Sequence, residues 1–361
     1  KQNNRNAIGQ LSVKDSSSTL RDSWMLLWPL SEYFAYTDQR SANTNQNPAF
    51  TATFDGQPFA NTPKANTDTS AKNDIAGTDG FSLASNLSNM VFKNIDALHF
   101  NKQHQTFVDT FNGKQGTHVT TYDAAYSIVA LSIFQRAQDA LPVGYASSDG
   151  GNIHLKTPQG KRALELINRQ ANFIIRHLIA KNGLVSDGIT LSGKLDSTQS
   201  LDAQFSAIRG LSAAFVATKN EAYRSAARQL YVNIDKQLFD KKLGTWAINS
   251  IGEYTPWTAA AIASAMRETM LHLKNNESEN SPALELASLV ERYTSWFRTV
   301  INGPSISEGM QLSEALSDTG ELIIKGHSSD SDQDNVPQIT KSGGSFGQAH
   351  VLAAKVIIGH K

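Results

Sequence analysis

The chain of 361 residues contains no cysteine. This absence excludes thiolate zinc sites, iron–sulfur clusters, haem attachment through Cys-x-x-Cys-His and cysteine nucleophiles. A long chain without thiols is typical of bacterial proteins outside the cytoplasm, where stray thiols are a hazard. The composition is rich in Asn, Ser and Thr and only 18% charged, which indicates the same setting. We therefore expect a secreted, periplasmic or cell-surface protein.

An excess of one charge and a long apolar run are also missing. Lys plus Arg and Asp plus Glu both number 33, and no run of five Lys or Arg residues occurs. Nothing therefore predicts a nucleic-acid interface. No stretch of about 18 apolar residues could span a membrane. Because the chain opens on Lys1 and not on an apolar segment, we expect that any export signal has been removed.

Two motifs of phosphate and acyl chemistry are absent. The glycine-rich stretch 343–347 contains no Lys and follows no expected strand, so it is not a phosphate-binding loop. No Gly-x-Ser-x-Gly nucleophile elbow is present. Since no motif specifies a reaction, the function has to be inferred from the architecture.

What the chain does contain is a repeat. The stretch Tyr-Asp-Ala-Ala-Tyr-Ser-Ile-Val-Ala-Leu, which begins at Tyr122, aligns with Leu-Asp-Ala-Gln-Phe-Ser-Ala-Ile-Arg-Gly, which begins 79 residues later at Leu201. In both, a turn rich in Ser and Thr precedes an Asp and an apolar helix. The repeat predicts a fold assembled from similar helical hairpins. It places Asp123 and Asp202 at helix N-termini, where the backbone dipole favours negative charge.

Apolar residues at helical spacing predict eight helical segments. They are 20–38, 80–99, 122–139, 158–181, 201–217, 220–238, 255–273 and 281–301. The segments that begin at 122, 201 and 255 are nearly uncharged, whereas those that begin at 158, 220 and 281 carry charges on one side. Because a helix that is apolar all round is buried, we expect inner and outer helices to alternate. The first two segments extend this series as an inner and an outer helix.

The alternation resembles the α/α toroids, which are the six-hairpin barrels of the N-acylglucosamine 2-epimerase-like proteins and of many glycoside hydrolases and polysaccharide lyases. The resemblance covers about residues 20–300, where four hairpins are clear, and it lies in architecture and not in a family motif. It implies an all-α fold, either an α/α toroid or an incomplete α/α barrel. In that fold, loops at one end of the inner helices carry the chemistry.

The domain organisation follows from the same pattern. We expect a polar arm at 1–19 and a single toroid-like domain over 20–361. Irregular excursions are expected at 39–79 and 302–345, where no helical or strand period is visible. A short hairpin is expected within 100–117, and a helix at 348–358 is expected to close the series.

Candidate catalytic carboxylates lie where inner helices are expected to begin. Asp123 and Asp202 are either an acid/base pair, for which glycoside cleavage needs two carboxyl groups about 5–9.5 Å apart, or first-turn residues that bind backbone N–H groups. Asp187 and Glu253, in other loops, are either further site carboxylates or turn residues.

Candidate substrate-binding residues lie beside them. Five aromatic residues fall on the expected inner helices or at their mouths, namely Trp24, Trp28, Tyr122, Tyr126 and Trp257. Aromatic rings stack on the apolar faces of sugars and also fill cores, and the candidates for exposure are Tyr122, Tyr254 and Trp257, which lie at expected N-terminal ends. His118 is either part of the same polar rim or an ordinary loop histidine.

A candidate metal site lies in the second excursion. Asp330, Asp332 and Asp334 alternate along the chain, a pattern that suits Ca²⁺ because this ion prefers oxygen ligands. A full EF-hand loop would need Gly and Glu where Asn335 and Lys341 stand. The segment is either a structural calcium loop or an acidic, solvated loop.

Two functions of different class are consistent with this sequence, and whether the protein is an enzyme is left open. The first is a non-catalytic surface or envelope component, which binds other proteins through its polar excursions. The absence of Trp from 39–79 and 302–345 favours it, because the loops of a glycosidase of this size usually contain such residues. The alternative is a carbohydrate-active protein, meaning a glycoside hydrolase, a lyase or a sugar binder, that uses the inner-helix mouths.

Overall fold

A computed structural model of the chain describes residues 14–38, 80–141, 143, 156–301, 310–311, 351–352 and 355–359. The chain forms two compact units, of which the first comprises 1–169 with 190–192 and the second comprises 170–189 with 193–361. The excursion at 39–79, the calcium loop at Asp330–Asp334 and the glycine-rich stretch 343–347 lie outside the described residues. The single domain expected from the sequence stays a prediction.

The described residues form eight α-helices. They are α1 Leu20–Thr37, α2 Gly80–Asn94, α3 Thr121–Gln138, α4 Pro158–Phe173, α5 Leu201–Thr218, α6 Glu221–Leu238, α7 Pro256–Glu268 and α8 Leu286–Trp296. Four of them continue into a π-helical turn, at Ile95–His99, Ile174–Leu178, Thr269–Leu273 and Phe297–Ile301. None of the described helices has the length and apolar character needed to cross a lipid bilayer.

The strands are short and pair two by two. They are β1 Ser18–Thr19, β2 Phe100–Asn101, β3 Thr106–Phe107, β4 Thr110–Phe111, β5 His118–Thr120, β6 Gly188–Thr190, β7 Phe239–Asp240, β8 Thr245–Trp246, β9 Ile251–Tyr254, β10 Met310–Gln311, β11 Val351–Leu352 and β12 Val356–Gly359. The hairpin expected within 100–117 is present, because β2 pairs with β3 in the register Phe100–Phe107. The last residues of the expected polar arm form β1, which pairs with β4.

Buried and amphipathic helices alternate as the sequence predicts. In the first unit α1 packs on α2 and α3, and in the second α5 packs on α6 and α7. Every residue of α3 from 121 to 131 is buried, whereas α6 buries only one face, at Tyr223, Ala227, Leu230, Tyr231 and Ile234. The predicted fold class is confirmed. The chain is all-α and consists of the helical hairpins from which α/α toroids are built.

The prediction of a closing helix at 348–358 is wrong. Residues 351–352 and 356–359 are strands, and β12 pairs with β9 in the register Val356–Tyr254. Val356 is buried and Ile357 is 63% exposed, which is the alternation of a strand. The physical reason lies in the β-branched run Val356–Ile358, since such side chains fit a pleated surface better than a helix.

Candidate functional site

A loop aspartate secures the start of one inner helix in each unit. In the first unit Asp109 accepts hydrogen bonds from the backbone N–H of Thr120 at 2.8 Å and from its hydroxyl at 2.7 Å. Asp109 also lies 2.8 Å from Nδ1 of His118. In the second unit Asp187 accepts a bond of 2.6 Å from the N–H of Ser200. Thr120 and Ser200 are the N-cap residues of α3 and α5, so in both repeats a loop aspartate binds the backbone of the N-cap residue. The Ser200 side chain also caps its helix, whereas the Thr120 side chain makes no capping hydrogen bond.

The carboxylate of Asp123 is held by two side chains of α1. Arg21 donates to both of its oxygens, at 2.9 and 3.0 Å, and the indole N–H of Trp24 donates at 3.0 Å. The Asp123 side chain is 7% exposed and that of Arg21 is 46% exposed. The hydrogen bond to Asp123 raises the pKa of Arg21. This geometry is that of a partly buried, bidentate ion pair.

The aromatic residues near Asp123 form one packed cluster. Tyr126 stacks on Trp24 and Trp28, with ring centroids 5.1 and 6.3 Å apart, and lies 4.6 Å from Tyr122. Trp24, Tyr122 and Tyr126 are buried, and Trp28 is half-buried. The geometry here is that of a core. The ring of Tyr122 is buried, and His118 contacts Asp109. Contact of either residue with a substrate stays a prediction.

Asp202 has very different surroundings. It lies half-buried in the first turn of α5 and lines a groove of about 630 Å³ within the second unit. Two more carboxylates line this groove, Asp187 and Glu253, both singled out in the sequence. We call it the Asp202 groove. Asp123 belongs to the other compact unit, and the predicted pairing of Asp123 with Asp202 stays a prediction.

The rest of the groove combines uncharged polar groups with apolar surface. Hydroxyl and amide groups come from Ser197, Thr198, Gln199, Ser200, Asn249, Thr255 and Thr258. Apolar surface comes from Leu201, Ile248 and Ile251. No Lys, Arg or His belongs to its lining among the described residues. Lys355 pairs with Glu253 at 2.5 Å, and both side chains are about half exposed.

Two inner helices, α5 and α7, begin at the groove, and both starts are capped. Ser200 accepts a hydrogen bond from the N–H of Ala203, and Thr255 forms a reciprocal capping box with Thr258. Such caps satisfy N–H groups that a helix start leaves unpaired. The N-termini of α5 and α7 therefore lie at the groove, where their dipoles favour carboxylates and ligand oxygens.

Two further features fix the walls of the groove. The buried amide of Gln204 accepts from the N–H of Val185 at 2.8 Å and donates to its carbonyl at 2.6 Å, so it binds the Asp187 loop to α5. Tyr254 donates its hydroxyl to the carbonyl of Trp246. Burial raises the pKa of the Tyr254 phenol, which keeps that donor protonated.

Of the predicted site residues, the structure brings together Asp187, Asp202 and Glu253. Trp257 follows in the first turn of α7 and is 43% exposed. The hydroxyl and amide groups that line the groove were not predicted from the sequence. The Ser/Thr-rich turn before Asp202 contributes several of them and could have indicated them. The described residues contain no cluster of three His, Asp or Glu that could hold a metal ion, and the calcium loop, which lies outside them, stays a prediction.

No protein-family model matches the sequence, and no curated protein matches it. Among solved structures, the chain is similar to the cellobiose 2-epimerase of Bacillus thermoamylovorans, with a TM-score of 0.49 and 10% identity over 84% of this chain and 65% of that one. It is similar to a D-mannose isomerase, with a TM-score of 0.38 and 16% identity over 64% of this chain and 44% of that one. The chain thus spans less than two thirds of the length of either protein.

A third similar structure is a glycoside hydrolase family 76 mannosidase from Bacteroides thetaiotaomicron. Its TM-score is 0.38, with 10% identity over 74% of this chain and 85% of that one. A 2-epimerase and a glycoside hydrolase are the kinds of protein to which the helix pattern pointed. At this level of similarity they supply no residue, ligand or reaction for this chain, and the function rests on its own side chains.

Proposed function

We propose that this chain is a carbohydrate-active protein that holds an uncharged sugar in the Asp202 groove. One observation carries the proposal: three carboxylates and a set of hydroxyl and amide groups line one groove whose described lining residues include no cation, and Lys355 pairs with one of these carboxylates, Glu253. Sugar hydroxyls donate to carboxylates in charge-assisted hydrogen bonds, which are stronger than neutral ones. Phosphates and uronic acids would meet like charge there and be disfavoured.

The apolar part of the lining fits the same ligand class. Leu201, Ile248 and Ile251 present aliphatic surface to the groove, and sugar rings have apolar C–H faces. Ligand sites in proteins combine such surface with a few convergent polar groups. Trp257 does not line the groove, but it is exposed in the first turn of α7 and stays a candidate for stacking on a sugar ring.

The carboxylates also allow a reaction. Glycoside chemistry needs one carboxyl group that donates a proton and a second that accepts a proton or attacks. Asp202, at the N-terminus of a buried helix, is our candidate for one role, and Asp187 or Glu253 for the other. Asp187 uses one oxygen to hold the Ser200 N–H, and Glu253 pairs with Lys355. Each carboxylate therefore has one partner, and both are candidates for the second role.

Calorimetric titration of the full chain with a panel of neutral oligosaccharides tests the proposal. We expect Asp202→Asn to weaken binding about tenfold or more, since a hydrogen bond to a charged group contributes about 1.5–3 kcal/mol. Glu277→Gln is the matched control, because Glu277 is an exposed carboxylate of the same unit that does not line the groove. Equal affinity of the native chain and Asp202→Asn would refute the proposal.

The other function expected from the sequence depends on other residues. A non-catalytic surface component with a protein partner was favoured by the excursions 39–79 and 302–345, which lie outside the described residues except at 310–311. That role and the secreted or periplasmic location stay predictions. The sugar proposal rests on the lining of the Asp202 groove.

A further inference from the structure

A second groove lies in the first unit, between α2, the β2–β3 hairpin and α4. Its volume is about 1070 Å³. Six charged side chains line it, namely Lys93, Asp96, Lys102, Arg162, Glu165 and Arg169. Four of these are cationic and two are anionic, so the lining has a net charge of +2. We call it the cationic groove, because its charge is opposite in sign to that of the Asp202 groove.

Both anionic side chains of this groove are engaged by one arginine. Arg162 donates to the two oxygens of Asp96 at 2.8 and 3.0 Å and to Glu165 at 2.7 Å. Its guanidinium also lies 5.4 Å from the centroid of the Phe100 ring. The hydrogen bond to Asp96 raises the pKa of Arg162. Arg162 is therefore fixed in place, and it offsets one of the two carboxylate charges. The net charge of +2 comes from the other three cations, which outweigh the remaining negative charge.

The other three cations remain available to a ligand. Lys93, Lys102 and Arg169 are exposed, and none of the three has an ion-pair partner among the described residues. Lys93 lies in the last turn of α2, where the helix dipole stabilises a cation without any ligand. That explanation does not apply to Lys102, which lies in the hairpin turn, or to Arg169, which lies inside the helical segment that begins with α4.

The spacing of the charges indicates an extended ligand. Arg162 and Arg169 are seven residues apart on one face of α4, which is about 10 Å along the helix axis. Lys102 comes from a different element, the turn of the β2–β3 hairpin. Cations that surround a concave surface repel each other and attract an anion with several charges. A single small anion would not reach all of them.

We propose that the cationic groove binds an acidic polysaccharide, a carbohydrate polymer with carboxylate groups. Nucleic acid is the other polyanion of similar charge spacing, but proteins hold single strands by stacking bases on exposed aromatic rings. The two aromatic residues of this groove, Phe92 and Phe100, are buried. The concave, polar lining instead fits a hydroxylated, anionic chain. This inference does not depend on the sugar proposed for the Asp202 groove.

Affinity of the full chain for polygalacturonate, measured over a series of salt concentrations, tests this proposal. We expect binding that weakens as salt rises, and a loss of about tenfold or more in Lys102→Glu/Arg169→Glu, because each substitution reverses a charge next to the polymer. Lys102→Arg/Arg169→Lys conserves both charges and should bind as the native chain does. Lys242→Glu reverses an exposed cation of the second unit and should also leave affinity unchanged.

Three outcomes would overturn the inference. The first is affinity for polygalacturonate that is the same in the native chain and the double charge reversal, provided that circular dichroism shows both to be folded. The second is equal loss in Lys242→Glu, which would indicate attraction by the whole protein and not by this groove. The third is tighter binding to single-stranded DNA than to polygalacturonate at the same salt concentration.

Discussion

The two inner-helix mouths marked by the sequence repeat have the same local design and different surroundings. At both, an aspartate in the first helical turn follows a capping residue that a loop aspartate holds. Asp123 is closed off by Arg21 and Trp24, whereas Asp202 lines an open groove with Asp187 and Glu253. A repeated motif therefore specifies a helix start, while the exposure of its carboxylate depends on which side chains from elsewhere in the chain contact it.

The largest expected effect separates the two aspartates by stability. Asp123→Asn should lower the free energy of unfolding by about 2–4 kcal/mol, because it leaves a buried polar site and the Arg21 guanidinium without their charged partner. Asp202→Asn should lower it by less, about 0.3–1 kcal/mol, which is the usual contribution of a negative charge in the first turn of a helix. Urea denaturation measures both. Similar values for the two variants would remove the distinction between the mouths.

The loop aspartates extend the comparison. Asp109→Ala should cost about 2 kcal/mol, because Asp109 binds both the N–H and the hydroxyl of Thr120 as well as His118. Asp187→Ala should cost about 1 kcal/mol, because one hydrogen bond to Ser200 is lost. Thermal unfolding of both variants checks the order. A larger cost for Asp187→Ala would contradict the account.

An ion pair between Arg224 of the outer helix α6 and Glu279 contributes to stability against acid. Hydrogen bonds from Arg224 lower the pKa of Glu279 from 4.5 to about 2. A lowered pKa stabilises the folded chain above the ordinary value, and this contribution is lost as pH falls from 4.5 towards 2. Discounted for solvent screening, the contribution is about 1 kcal/mol. Glu279→Gln should therefore lose about that much at pH 7 and less at pH 2; an unchanged pH profile would exclude the ion pair.

The smallest effect concerns the turns. In the first unit the turn after β4 contains Gly113 at φ +68°, whereas in the second unit the turn before β9 has Asn249 and Ser250 at φ 51° and 63°. Ser is disfavoured in this left-handed conformation, unlike Gly. Ser250→Gly should stabilise the chain by about 0.5–1 kcal/mol. Gly113→Ser should destabilise it by a similar amount, and thermal midpoints for the pair provide the check.

Helix period made much of the fold predictable. Even the π-helical turns fall inside predicted segments, since 80–99 ends at His99 and 255–273 ends at Leu273. The error at 348–358 arose because an apolar run was assigned by composition. Its β-branched residues pair instead with β9, a partner about 100 residues earlier in the chain.

The site was less predictable, for a physical reason. The sequence identified Asp123 and Asp202 equally, because the contact that distinguishes them joins residues 102 apart. The Asp202 groove likewise combines three loops from 187 to 258. Local patterns report capping and burial, whereas long-range contacts decide which carboxylate meets solvent.

Hydrogen–deuterium exchange with and without a saturating neutral oligosaccharide tests whether the sugar binds in the Asp202 groove and not at the start of α3, near Asp123. The account predicts added protection at 197–202 and 249–255, the segments that line the Asp202 groove, and no change at 118–124. Protection at 118–124 alone, or at neither mouth while calorimetry shows binding, would contradict it.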